Sequence, residues 1–476
     1  MYIGLDLGTS SLKAILIDDD QRVLAEHTEA LTVQRPHDGW SEQNPYAWEG
    51  AAWSALAAIR EQHDCKGLKG IGLSGHMHGA VLLDRDGNVL RPCMLWNDTR
   101  SHAEAAAMDA DPAFRAITGN IVFPGFTAPK VEWVRRHEPE IFAKIDKILL
   151  PKDYLRYYLT RNFVAEMSDA AGTAWFDTEA RDWSDALLAK CGLSRDQMPR
   201  LIEGNASSGD LRDKLGIQLD LPPLVVAGGG GDNAVAAIGA GVVREGQAFL
   251  SLGTSGVLFA ANDAYRPAPA TAVHTFCHAL PGSWHQMGVI LAATDALNWL
   301  SRLTGQSAAQ LTSGHGALQA PGRTLFLPYL GGERTPHNDS TIRGQFLHLD
   351  HATDARAAAR AVMQGVAYAF ADCRDALGAT GTQITRALAI GGGARSDDWL
   401  RILATTLGFP LDVPAQGEFG AALGAARLAM MACGAGAEIA TTPPISHSID
   451  PDPAIEPAFA EGLARYRAAY AAIKTL

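Results

Sequence analysis

Two short segments of one kind carry the clearest chemistry in this chain: Asp6-Leu7-Gly8-Thr9-Ser10-Ser11 near the amino terminus and Ser251-Leu252-Gly253-Thr254-Ser255-Gly256 past the midpoint. A tight Gly-Thr-Ser turn presents several backbone N–H groups and two hydroxyls with no bulky side chain in the way, which suits it to wrapping a phosphate. Gly8, Thr9, Ser10, Gly253, Thr254 and Ser255 are therefore the phosphate-binding candidates, and two such turns facing each other would grip a polyphosphate. The copies differ in one respect: Asp6 stands where the second copy has Ser251. A carboxylate at the end of a buried strand is a hard oxygen ligand for Mg²⁺, directly or through water. The competing reading of Asp6 is a turn aspartate bonding its own backbone. A duplicated phosphate turn with an unduplicated carboxylate suits two halves that share one nucleotide and one metal. Lys13 follows the first turn and could meet the transferred phosphate, unless it is simply a solvent-facing lysine at a strand edge.

Asp232 is the candidate for proton transfer. Gly228-Gly229-Gly230-Gly231 ends a short apolar stretch and leaves this carboxylate, followed by Asn233, at the start of a helix through Ala234 to Gly241. An aspartate there is commonly an N-cap, but a cap needs no four-glycine approach. A hydroxyl that attacks a γ-phosphate must lose its proton to a nearby base, and a carboxylate is the usual choice in phosphoryl transfer. A second glycine run, Gly391-Gly392-Gly393, follows the apolar Ala387 to Ile390 and precedes a helix capped by Ser396. It lets a ligand approach the backbone closely at a positive helix end. His76-Met77-His78 is expected to set two imidazoles on one face of an extended segment. No further ligand is spaced to complete a zinc site, so polyol recognition is the preferred reading. His274 to His278 reads as core or pocket wall, and Trp96 to Arg100 as either a sugar-side or a structural network.

These residues must be positioned by strands and helices. Each Gly-Thr-Ser turn lies between two apolar stretches, a hairpin pattern. Extended segments near 2 to 7, 12 to 17 and 22 to 33, an amphipathic helix from Pro45 to His63 and a strand at Gly70 to Gly75 give the order strand, strand, strand, helix, strand. That order fits half of an actin-like or RNase H-like ATPase, so the predicted fold is α/β with two such domains flanking a catalytic cleft, divided as 1–245 and 246–476. Thr353-Asp354 caps a helix ending at Gly378, and the last helix presents Phe459, Leu463, Tyr466, Tyr470 and Ile473 at steps of three and four.

A chain of 476 residues, 47% hydrophobic, exceeds the size at which single cores stop growing. Its net charge of −12 and the lack of any basic run argue against a nucleic-acid or anionic-membrane partner. The six cysteines include no C-x-x-C pair, as in reduced cytosolic proteins. Strand character from Tyr2, with no basic leader and no apolar stretch of membrane-spanning length, predicts a soluble, cytoplasmic protein.

Taken together, Asp6 to Ser11, Ser74-Gly75-His76-Met77-His78-Gly79, Gly230-Gly231-Asp232-Asn233-Ala234, Ser251 to Gly256 and Gly391 to Arg395 resemble the FGGY carbohydrate kinases. So do Ser41-Glu42-Gln43, Leu95 to Asp98, Pro124 to Lys130, Leu150 to Tyr154, Gly332 to Pro336 and Ala421 to Ala426. The resemblance implies ATP-dependent, Mg²⁺-requiring phosphorylation of D-xylulose at its 5-hydroxyl, within two actin-like domains that close over a cleft. By position it implies Asp232 as general base and Asp6 as the Mg²⁺-linked carboxylate. Met77, His78, Asp232 and Asn233 would hold the sugar, the two turns the phosphates, and Gly392 and Gly393 the adenosine, with Asp397 near the base. The glycine run before Asp232 is one residue longer than the family's usual three. Ribulose, glycerol or another polyol as substrate, or a non-metabolic actin-like ATPase, are the alternatives. The expected partners are small-molecule substrates, with a homodimer as a possible assembly.

Overall fold

Tyr2–Leu7 is apolar nearly throughout, and in the computed structural model, which describes residues 1–415 and 420–474, it is an interior strand of a seven-stranded sheet. Ile3, Leu5 and Leu7 are fully buried, as in a strand covered on both faces. It pairs antiparallel with Ser11–Ile17, Leu7 opposite Leu12, so Gly8, Thr9 and Ser10 form the connecting turn. On its other side it runs parallel to Gly70–Gly75, with Asp6 opposite Ser74. Val23–Ala30 then pairs with Ser11–Ile17. Lys13 therefore lies on a strand paired on both sides, and the alternative reading of a lysine at a strand edge does not hold. Beyond Gly70–Gly75, Val225–Ala227 is parallel and Ser207–Asp210 antiparallel to it in turn.

The second hairpin rebuilds this arrangement. Ala248–Leu252 pairs antiparallel with Gly256–Asn262 and parallel with Ala387–Ile390. Leu411–Pro414 follows in parallel, and Ile445–Ile449 closes the series antiparallel. From hairpin through two parallel strands to a final antiparallel strand, both sheets have one order. The actin-like duplication signalled by the turns extends to whole sheets. The second sheet packs on the helix Ala355–Gly378, N-capped by Asp354, and on the helix Asp397–Leu407, N-capped by Ser396. The core there includes Leu250, Phe326, Met363, Trp399 and Tyr466.

Packing divides the chain into one unit of Met1–Val243, Phe276–Trp284 and Phe419–Thr442, and another of Arg244–Thr275, His285–Glu418 and Pro443–Leu476. Two segments beyond residue 245 thus pack with the first unit. For the second of these segments the reason is steric. The helix Ala421–Ala432, made largely of Ala and Gly, lies so close over the sheet that a Cβ on Gly4 or Gly72 would overlap the carbonyls of Ala422 or Ala425. Ala421, Ala425 and Leu428 form one core with Ala234, Val235 and Ile238 of the helix Asp232–Ala240. Among the described residues, no helix is long and apolar enough to cross a membrane. All six cysteines are unpaired, and all but Cys433 are buried.

Candidate active site

After Val225–Ala227, the chain turns at Gly229 (φ +77°), and Gly230-Gly231 resumes pairing beside Ser74-Gly75. This short pairing brings the start of the helix Asp232–Ala240 beside the segment that leaves Gly75. Gly231 takes the N-cap position and Asp232 is the first helical residue, so the carboxylate is not the cap. Asp232 Oδ1 accepts from the Asn233 backbone N–H at 2.7 Å and from its side-chain amide at 2.9 Å. Burial pushes the Asp232 carboxyl up to about 6, the negative charge of Asp6 pushes the same way, and the Asn233 hydrogen bonds oppose both. A carboxylate tuned toward neutral pH is what a general base requires. Burial also raises Asp6, opposed by the Ser74 hydroxyl and by Lys13. The Lys13 ammonium lies 3.4 Å from Glu26 Oε2, an exposed ion pair of little energetic weight.

Met77 and His78 reach the same place by a turn. Met77 is buried against Gly231, where an added Cβ would fall 2.9 Å from Met77 Cγ. His78 adopts a left-handed backbone (φ +69°), so the segment is not extended as expected and its two imidazoles diverge. The His76 ring goes into the core, edge-on to Trp48 at 5.6 Å, and burial lowers its pKa to about 3. The His78 ring stacks on Phe126 at 4.7 Å, with Nδ1 2.8 Å from the Gly172 carbonyl. A carbonyl only accepts, so Nδ1 carries the hydrogen of that bond. The His78 carbonyl accepts in turn from Lys130 Nζ at 2.8 Å and Thr127 Oγ1 at 3.2 Å. Sequence reasoning assigned no role to Thr127, Lys130 or Gly172. A fully buried lysine beside apolar neighbours was the available signal, but its partners lie far away in sequence.

The first turn is tied down from outside. Gln43 Nε2 donates to the Thr9 carbonyl at 2.7 Å and Trp96 Nε1 to the Thr9 hydroxyl at 3.0 Å, while the Gly8 N–H closes on the Ser11 carbonyl at 2.9 Å. Ser10 stays exposed at the tip. Thus Asp6, Gly8, Thr9, Ser10, Lys13, Met77, His78, Asp232 and Asn233 all belong to the first unit, around the carboxyl ends of Tyr2–Leu7 and Gly70–Gly75.

In the second unit, the Gly253 and Thr254 carbonyls accept from the backbone N–H groups of Thr294 and Ala293, each at 2.9 Å, leaving Thr254 and Ser255 exposed. Gly391 has φ +88°, and a Cβ on Gly393 would meet Leu252 at 2.9 Å and Thr294 and Trp399 at 3.1 Å. Gly392 and Gly393 line a cavity of about 730 Å³ with Thr294, Asn298, Thr312, Asp397 and others. That volume suits a nucleoside-sized ligand. Asp397 Oδ1 also lies 3.1 Å from His447 Nε2.

Duplicated actin-like sheets, two Gly-Thr-Ser turns, a partly buried carboxylate at a helix start and a glycine-walled cavity mark an ATP-dependent sugar kinase. Models of the N-terminal and C-terminal domains of the FGGY family of carbohydrate kinases match residues 1–239 and 248–433, and the chain belongs to that family. It is 50% identical to the xylulose kinase of Escherichia coli (strain K12) over 91% of its own length and 90% of that protein. It is 49% identical to the xylulose kinase of Klebsiella pneumoniae, with the same coverage. A crystal structure of a xylulose kinase from Brucella ovis superposes with a TM-score of 0.98 at 54% identity, covering 100% of this chain and 99% of that one.

Proposed function

We propose that this chain transfers the γ-phosphoryl group of ATP to the 5-hydroxyl of D-xylulose, giving D-xylulose 5-phosphate and ADP. The observation that carries the chemistry is Asp232, raised to about 6 and set among Asn233, Met77 and His78. The similarity to xylulose kinases carries the choice of sugar. The sugar lies on the first unit, where His78 meets one hydroxyl and Asn233 supplies an amide. Asp232 takes the proton of the attacking hydroxyl as its oxygen bonds the γ-phosphorus and the bond to the ADP oxygen breaks. The N–H groups and hydroxyls of Gly8 to Ser10 and Gly253 to Ser255 hold phosphates, and Gly392 and Gly393 lie against the adenosine.

The donor set fits magnesium. Asp6 and Asp232 repel one another in a partly buried place, and a divalent cation held by Asp6 would relieve that repulsion. When bound, Mg²⁺ supplies neutralisation of charge on the transferred phosphate. Six cysteines without a disulfide and the use of ATP support a cytoplasmic setting for the reaction.

The test is a coupled ADP-release assay over a panel of ketoses and polyols. D-xylulose should give the highest kcat/KM, and ATP turnover without sugar should be slow. A higher kcat/KM for ribulose or glycerol would reassign the substrate, and equal rates with and without sugar would make the protein an ATPase.

A further inference from the structure

The glycine run that carries Asp232 is held from behind by buried charge. Arg156, fully buried, donates through Nη1 to the Gly228 carbonyl and through Nη2 to the Val164 carbonyl and Asp153. At the other end of the run, the Gly231 N–H donates to Ser168 Oγ at 3.1 Å. Ser168 is fixed in its turn: its backbone N–H donates to Glu166 Oε2 at 2.7 Å, and the next N–H, of Asp169, to Glu166 Oε1 at 2.9 Å. Lys152 closes the network, its ammonium 2.6 Å from Asp153, 3.1 Å from Glu166 and 3.0 Å from Asp169. None of these six side chains is more than 1% exposed. Burial pushes the Asp169 carboxyl up, and the neighbouring Lys152 ammonium opposes that shift. A buried cluster of this kind costs desolvation and is weak evidence for stability. Its hydrogen bonds lead to both ends of one four-residue segment.

We infer that Arg156 and Ser168 are positioning residues for the general base: by fixing the Gly228 carbonyl and the Gly231 N–H, they set where the helix bearing Asp232 begins. Four glycines in succession have no side chains to hold them and wide conformational freedom, so the aim of Asp232 must come from outside the run. The network supplies that constraint from the strand Val164–Glu166 and the helix Pro151–Thr160. This inference rests on the reading of Asp232 as base. It adds that the base works only while its glycine tether is clamped.

The test is a double-mutant cycle on the full-length enzyme, with Ser168→Ala and, independently, Arg156→Lys, each made alone and in an Asp232→Ala background. Misplacing a catalytic group by about 1 Å can cost about 10²-fold, so each single variant should lose about tenfold or more in kcat while KM for ATP stays within about twofold. In the Asp232→Ala background the same substitutions should cost nothing further, because the group they position is gone. Equal losses in both backgrounds, or no loss in the single variants, would overturn the inference. So would failure of both variants to fold, since the network would then determine the fold and not the aim of Asp232. Near-wild-type kcat for Asp232→Ala alone would refute the base assignment itself, which is a separate result.

Discussion

Asp6 and Asp232 are reached from opposite sides of one strand: Asp6 lies opposite Ser74, and Gly230, two residues before Asp232, lies opposite the same serine from the other side. The charge of Asp6 is consequently felt at Asp232 and adds to the upward shift produced by burial.

The first consequence is a pH profile. A base must be ionised to act, so kcat/KM for the sugar should fall on the acid side with an apparent pKa of about 6. Asp6→Asn removes the neighbouring charge and should move that limb to lower pH, besides lowering the maximum rate if the proposed magnesium site at Asp6 is lost. Initial rates from pH 4.5 to 8 in a constant-ionic-strength buffer would show both. An acid limb that stays at about 6 in Asp6→Asn would refute the coupling.

Asp232 should contribute to turnover at the expense of stability. Its carboxyl binds its proton more tightly folded than unfolded, so between about pH 4 and pH 6 the native state holds more protons than the unfolded one. Stability therefore falls as pH rises through that window. Asp232→Asn escapes this and should gain on the order of 3 kcal/mol at pH 7, read as a higher melting temperature, while kcat drops by about 10²–10⁴-fold and ATP binding persists. A less stable Asp232→Asn protein would contradict the electrostatic account.

Gly172 tests the sugar side. A Cβ there would run into the His78 ring at Cε1 and Nδ1. Gly172→Ala should displace the imidazole from its stack on Phe126 and raise KM for the sugar by about tenfold, with KM for ATP unchanged. Equal changes in both constants would point to general damage instead.

Gly393 tests the nucleotide side. A methyl at this position meets Leu252, Thr294 and Trp399 at once, within 2.9–3.1 Å, so the turn must move. Gly393→Ala should raise KM for ATP by about tenfold or more and leave sugar binding, measured by calorimetry without nucleotide, as in wild type. Weakened sugar binding with intact ATP binding would remove the glycine from the adenosine site.

Much of this molecule is written locally. The two Gly-Thr-Ser hairpins, the Asp354 and Ser396 helix caps and the four-glycine approach to Asp232 depend on neighbours within a few residues, where hydroxyls, carboxylates and glycine act through short-range backbone geometry, and the unequal Asp6 and Ser251 can be read by comparing two short strings. Tertiary structure alone decided how that chemistry is held. The left-handed turn at His78 depends on Lys130 and Gly172, 52 and 94 residues away. The clamp on Gly231 comes from Ser168, 63 residues earlier. The helix Ala421–Ala432 joins the first unit because Gly4 and Gly72 leave room for it. Burial, which sets the pKa of Asp232, and steric fit are properties of atoms brought together by folding, and no periodicity or spacing along the chain encodes which distant atoms those are.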